Sequence, residues 1–212
     1  MIKKYILQGT LLILLIGLGL DLFMPIKRDF KKFDPVQVGH LDAAMWRSYY
    51  EKRSVKLFLQ LGELIRSQFH APVVRSYLMA YYSGKAAFVF KKGTNREEYL
   101  KALPYLIRYF KALQNISDTS FDYESLAKTE LAWWIIRREP EKYNTEDWKI
   151  LLGSAAETMY HIPANRFGTY ADQRVRAMVM RDNKGTHITE KDWAEIDGLC
   201  VEAWRSFDKV LR

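Results

Sequence analysis

Thr189-Glu-Lys-Asp192-Trp-Ala-Glu-Ile196-Asp-Gly-Leu-Cys200-Val-Glu-Ala-Trp204 is the stretch that decides the fold class. Thr189 with an acid three residues on has the form of a capping box, in which side chain and backbone satisfy each other's free N–H groups. Ile196, Cys200 and Trp204 then recur one turn apart, so the segment reads as a helix with one apolar face running to about residue 211. Cys200 lies on that face and reads as a buried, inert thiol. As the single cysteine in the chain it excludes an internal disulfide framework and any multi-cysteine zinc site.

The same helical period continues back through the sequence. It predicts helices over 40–69, 72–92, 96–116, 122–138, 145–160 and 163–182, each with a local start or stop. His70-Ala-Pro72 ends the first, because proline disfavours helix at the residue before it. Pro104 is expected to kink or split the third. Thr145 reads as the cap of the fifth, and Pro163 as the first residue of the sixth. With no Asn-Gly hairpin and no sustained alternation, the expected fold is all-α: one soluble domain, residues 35–212, of about seven helices.

Residues 1–34 have a different composition. Tyr5 to Met24 contain only Gln8, Thr10 and Asp21 as polar breaks, and Leu11 to Leu20 are unbroken apolar. Twenty helical residues reach about 30 Å, the thickness of one hydrocarbon core. Pro25 stops the run, and Lys27, Arg28, Lys31 and Lys32 follow as a basic collar. The reading is a single transmembrane anchor. Gly17-Leu-Gly19 offers a competing small-x-small cleavage pattern, but Leu20, Leu22, Phe23 and Met24 continue the apolar run past it. Four Lys/Arg after the helix against two before it favour a single-pass membrane protein with a cytoplasmic domain.

Aromatics at 14% and scarce Gly and Pro predict a packed globule. The net charge of +8 leaves the domain mildly basic. It has neither a dense Lys/Arg stripe nor a nucleic-acid reading module, so nucleic acid is not an expected partner.

Two constellations could carry chemistry. Glu157 and His161 share a helix face, Glu63 and His70 lie two turns apart, and Glu130 sits among Leu131, Ala132, Trp133 and Trp134. Turned inward, Glu63, Glu130, Glu157 and His161 could hold a metal and support oxidoreductase chemistry. The Glu-x-x-His pairs of di-iron bundles are absent, however, and Glu157-x-x-x-His161 has the wrong spacing. Arginine also recurs beside aromatics, in Trp46-Arg47-Ser-Tyr49-Tyr50-Glu-Lys-Arg53 and in Glu130-Leu-Ala-Trp133-Trp134-Ile-Ile-Arg137-Arg138. Helical spacing puts Trp46, Tyr50 and Arg53 on one stripe and Glu130, Trp133, Trp134 and Arg137 on another, and Arg47, Tyr50, Arg53, Glu130, Trp134 and Arg137 make a candidate ion-pair or ligand network. Arg66, Arg75, Arg166, Arg174 and Arg176 are further candidates for it.

These two arginine–aromatic elements give the domain a general similarity to small all-helical bacterial proteins of no assigned activity. That resemblance implies the fold alone. No Gly-x-Ser-x-Gly, phosphate-cradling glycine loop or haem-attachment motif occurs. The expectation is a membrane-anchored interaction or accessory protein, non-enzymatic and without a cofactor, whose partners are the membrane and other membrane proteins. The alternative is a bundle with an internal pocket for a lipid-like ligand or a metal.

Overall fold

A computed structural model describes residues 2–212, with side chains from residue 5 onward. Its helices are α1 (Ile2–Phe23), α2 (Pro35–Tyr50), α3 (Ser54–Phe69), α4 (Val73–Lys92), α5 (Arg96–Leu100), α6 (Leu103–Ile116), α7 (Tyr123–Ile136), α8 (Thr145–Tyr160), α9 (Gly168–Lys184) and α10 (Glu190–Leu211). No strand occurs among the described residues. The fold is all-helical, as expected.

The element boundaries follow from local chemistry. Asp34 caps α2 by accepting from the Val36 and Gln37 amides at 2.9 and 3.2 Å, with Pro35 at the first position. The Thr189–Asp192 capping box opens α10. Three expectations need correction. The helix expected over 40–69 is two helices, broken at Glu51–Arg53 with Lys52 left-handed at φ 59°. A straight 30-residue helix would be about 45 Å long. Folding it in two lets α2 pack on α10 while α3 packs on α4. Asn144, not Thr145, caps α8, with Asp147 completing the box. Pro163 leads a short 3-10 turn, Ala164–Phe167, and α9 begins only at Gly168. Pro104 does split its helix, into α5 and α6.

The helices pack as a closed ring. Each neighbours the next in the order α2, α3, α4, α6, α7, α8, α9, α10, and α10 returns to α2. Gly39 permits that closure, since a Cβ there would lie 2.5 Å from the Val201 backbone of α10. Parallel helices about 9.5 Å apart in a ring of eight have axes about 12 Å from the centre, against helix radii of about 5–6 Å. The remaining middle must be filled by inward side chains. Phe167, Met79, Leu106, Leu113, Ile116, Met178 and Ile196 are among those fully buried.

α1 stands outside the ring. Tyr5–Phe23 is long and apolar enough to cross a membrane, and none of it is buried against the domain. Its far end is fastened. The Asp21 carboxylate accepts from the Val74 and Arg75 amides at 3.1 and 3.2 Å, supplying the N-terminal cap that Pro72 cannot give α4. Arg75 returns its guanidinium to the carbonyls of Asp21 and Met24. The chain after α1 is also held: Arg28 pairs with the end of α6 through Ile116 and Asp118, and Phe30 is buried in the core.

Candidate site inside the helix ring

Within the ring lies a cavity of about 260 Å³. All eight ring helices contribute to its wall, and no residue lining it is exposed. An engineered apolar cavity of about 150 Å³ takes up benzene, so this space admits more than a single aromatic ring. α7 supplies its polar centre. After the Asp122 cap, the 3.6-residue period turns Leu126, Glu130, Trp133 and Trp134 inward together. α3, α8 and α4 contribute mainly aliphatic groups, among them Leu57, Leu61, Leu64, Ala87, Ala155 and Met159.

Glu130 and Tyr109 keep accessible surface although they lie wholly within the domain, because that surface is the cavity wall. Glu130 accepts a hydrogen bond from the Trp134 indole N–H at 3.0 Å. Burial pushes its carboxyl above the ordinary range. The Trp133 indole N–H is buried and makes no well-formed hydrogen bond, yet with Trp134 it favours the ionised Glu130 carboxyl, less than burial opposes it. Burial likewise raises the phenols of Tyr109 and Tyr160, and those of Tyr49 and Tyr170 to about 12, so these hydroxyls stay protonated. The space is thus apolar on most sides, with the Glu130 carboxyl, a few neutral hydroxyl and indole groups, and an Asp42–Arg174 pair on its wall.

A buried ion pair forms one edge of it. Asp42 on α2, 2% exposed, accepts from the Arg174 guanidinium of α9 and from the Trp204 indole of α10 at 2.9 Å. Arg174 lies over the Trp46 ring at 5.1 Å, with Tyr170 and Trp204 also within 6 Å. One cluster therefore ties three helices of the ring together. Arg174 was among the sequence candidates, but Asp42, Tyr109 and Trp204 were not. Two pairs at i,i+4 spacing, Asp42/Trp46 and Tyr170/Arg174, were the available signal.

The remaining predicted residues fall into separate places. Arg47 forms a fork with Glu190 and bonds Glu51 at 2.8 Å, fastening α2 to the start of α10. Arg53, cut off from α2 by the helix break, lies 3.0 Å from Glu51. These line a surface cleft of about 470 Å³ beside Lys56 and Trp193. Arg137 bonds Asp182 twice, at 2.7 and 2.8 Å, and Tyr50 at 2.8 Å, while Arg181 stacks 3.7 Å above the Tyr50 ring. Of the six proposed network residues, only Glu130 and Trp134 meet in the cavity.

The structure does not bring the metal candidates together. Glu63 is half-exposed beside Arg66, and Glu157 is exposed and accepts from the Ala164 amide. His161 is the left-handed end of α8 and bonds the Ser120 carbonyl at 2.7 Å. Only Glu130 faces inward, and no group of three metal-binding side chains occurs among the described residues. Cys200 is buried and its thiol is pushed up by burial, which removes nucleophilic character.

No family model matches this chain, and no curated protein or solved structure matches it either. The functional reading rests on the geometry.

Proposed function

We propose that the protein is a membrane-anchored accessory protein that holds a small, mostly apolar molecule inside its helix ring. The observation that carries this reading is the cavity: about 260 Å³, walled by all eight ring helices, with the Glu130 carboxyl on its wall beside the charge-balanced Asp42–Arg174 pair. A pocket of this kind takes its affinity from apolar contact and its orientation from a few polar groups. Glu130 and the Trp133 N–H, which makes no well-formed hydrogen bond, suit a ligand with one hydroxyl, amide or heterocyclic N–H and no full charge. The anchor reading draws on the exposed apolar stretch of α1 and its fastening through Asp21 and Arg75.

Indole is a suitable probe, being larger than benzene and carrying one N–H donor for Glu130. Thermal unfolding of the full chain in detergent should shift upward with indole. The shift should vanish in an Ala87→Leu/Ala155→Leu variant, whose added side chains occupy the cavity. Equal shifts in both proteins, or none in either, would reject the internal site.

A further inference from the structure

The domain's exposed apolar surface and its positive charge are concentrated in the same place. Beyond residue 24, Val55, Phe58, Leu59, Val73, Leu78 and Tyr81 are large exposed apolar side chains on α3 or α4. Only Leu100 and Ile150 among the described residues match them elsewhere. On α3 they fall at 55, 58 and 59, within one face, and on α4 Leu78 and Tyr81 lie one turn apart while Val73 is exposed at the helix start. The Phe58 and Tyr77 rings, 5.5 Å apart, join the two faces, and Gly62 leaves room for the Tyr77 ring against α3.

Charge follows the same division. Residues 52–92 carry eight Lys/Arg and one acid, Glu63. The rest of the domain, 35–51 with 93–212, carries nineteen Lys/Arg against twenty-one Asp/Glu. A basicity that looks mild when averaged therefore belongs wholly to the α3–α4 hairpin. Lys52, Lys56, Lys85 and Lys92 are exposed there. The hairpin also adjoins the root of α1: Asp21 caps α4, and His70, at the α3–α4 turn, bonds the Lys32 carbonyl. Lys27, Arg28, Lys31 and Lys32 are exposed at the same junction.

We infer that the outer face of the α3–α4 hairpin lies on the anionic headgroup surface of the bilayer that holds α1. This rests on the anchor reading of α1 and is independent of what fills the cavity. Interleaved lysines, aromatics and aliphatics on one surface are what an interfacial helix presents to anionic lipid. Each lysine held near such a surface biases docking about five-fold. α3 is about 24 Å long, so α1 keeps the whole face close to the headgroups and modest attraction suffices. Leu57, Leu61 and Leu64 of α3 and Ala87 of α4 line the cavity, so docking also places one cavity wall beside lipid.

The test uses the full chain with a polarity-sensitive NBD label at Leu59→Cys, or at Ile150→Cys on α8 across the ring, in nanodiscs. One nanodisc is phosphatidylcholine alone and the other contains about a third phosphatidylglycerol. The Leu59 label should brighten and shift to the blue only with phosphatidylglycerol, and the Ile150 label should not change. Exchanging Lys52, Lys56 and Lys85 for Glu should lower the docked-to-free ratio by about 100-fold or more, and about 1 M salt should act in the same direction. Equal Leu59 spectra in the two nanodiscs, or equal changes at both labels, would overturn the inference. So would a blue shift produced by RNA or by an acidic protein in place of lipid. Flotation of the same samples reads the anchor separately. A chain that floats without a Leu59 response loses only the docking face, and one that does not float loses the anchor and the face together.

Discussion

Asp42 and Glu130 are carboxyls facing one cavity, and their surroundings give them opposite tasks. Asp42 has a guanidinium and an indole N–H as partners. Its charge is compensated, and what it fixes is the relative position of α2, α9 and α10. Asp42→Ala would leave Arg174 buried and unpaired, at a cost of about 3–5 kcal/mol. Urea unfolding measures this, and adding Arg174→Met should restore much of the loss; no recovery in the double variant would show that the pair does more than balance charge. Glu130 has only indole N–H donors, those of Trp134 and Trp133, to set against its burial, which raises its carboxyl above the ordinary 4.5. The folded state therefore holds this proton more tightly than the unfolded chain does. That contribution to stability is complete below the ordinary carboxyl range and is lost as pH rises through the raised native value. Glu130→Gln keeps the acceptor for Trp134 and removes the titration. It should be more stable than the parent by about 1–3 kcal/mol under alkaline conditions, with the difference closing below pH ~4.5. Parallel stability–pH curves for the two proteins would contradict this.

Between elements, the contact from α1 to α4 is the one that fastens the N-terminal helix to the domain. Asp21 reads in the sequence as a polar break near the end of an apolar helix, where a carboxylate reaches water. In the folded chain it also caps α4 and so makes α1 continuous with the domain. Asp21→Ala should cost about 1 kcal/mol, the usual value of a cap. Hydrogen exchange of the amides at 73–75 should quicken while those of α10 do not change. Uniform quickening over the whole chain would mean that Asp21 supports global folding instead. The break at Lys52 was invisible for a different reason. It carries neither Gly nor Pro, and nothing local marks it; the chain turns there because α10 and α4 offer the two halves separate surfaces. That break also undid the Trp46/Tyr50/Arg53 stripe, since Arg53 no longer belongs to α2.

For the molecule as a whole, a ring of eight helices implies a hollow middle, and here the side chains leave part of it open. A ring without a ligand should gain from having that space filled. Ala87→Leu or Ala155→Leu should therefore stabilise the full chain by about 1 kcal/mol if the new side chains fit without strain. The gain should shrink when the parent is already loaded with indole. Destabilisation of both variants by several kcal/mol would show the cavity smaller than its walls imply.

The sequence by itself determined the helical class, most of the caps and stops, the apolar N-terminal segment and the isolation of Glu130 among apolar neighbours. All of these are read within a turn or two of chain, where period and capping act. The joining of α10 to α2, the meeting of Asp42 with Arg174 and Trp204, the separation of Arg47 and Arg137 from Glu130, and the cavity were decided only by the tertiary structure. Each depends on which helix faces which across 45 residues or more, or around the whole ring. Helical spacing fixes the face on which a side chain stands, while the partner of that face is chosen by the packing of every other helix.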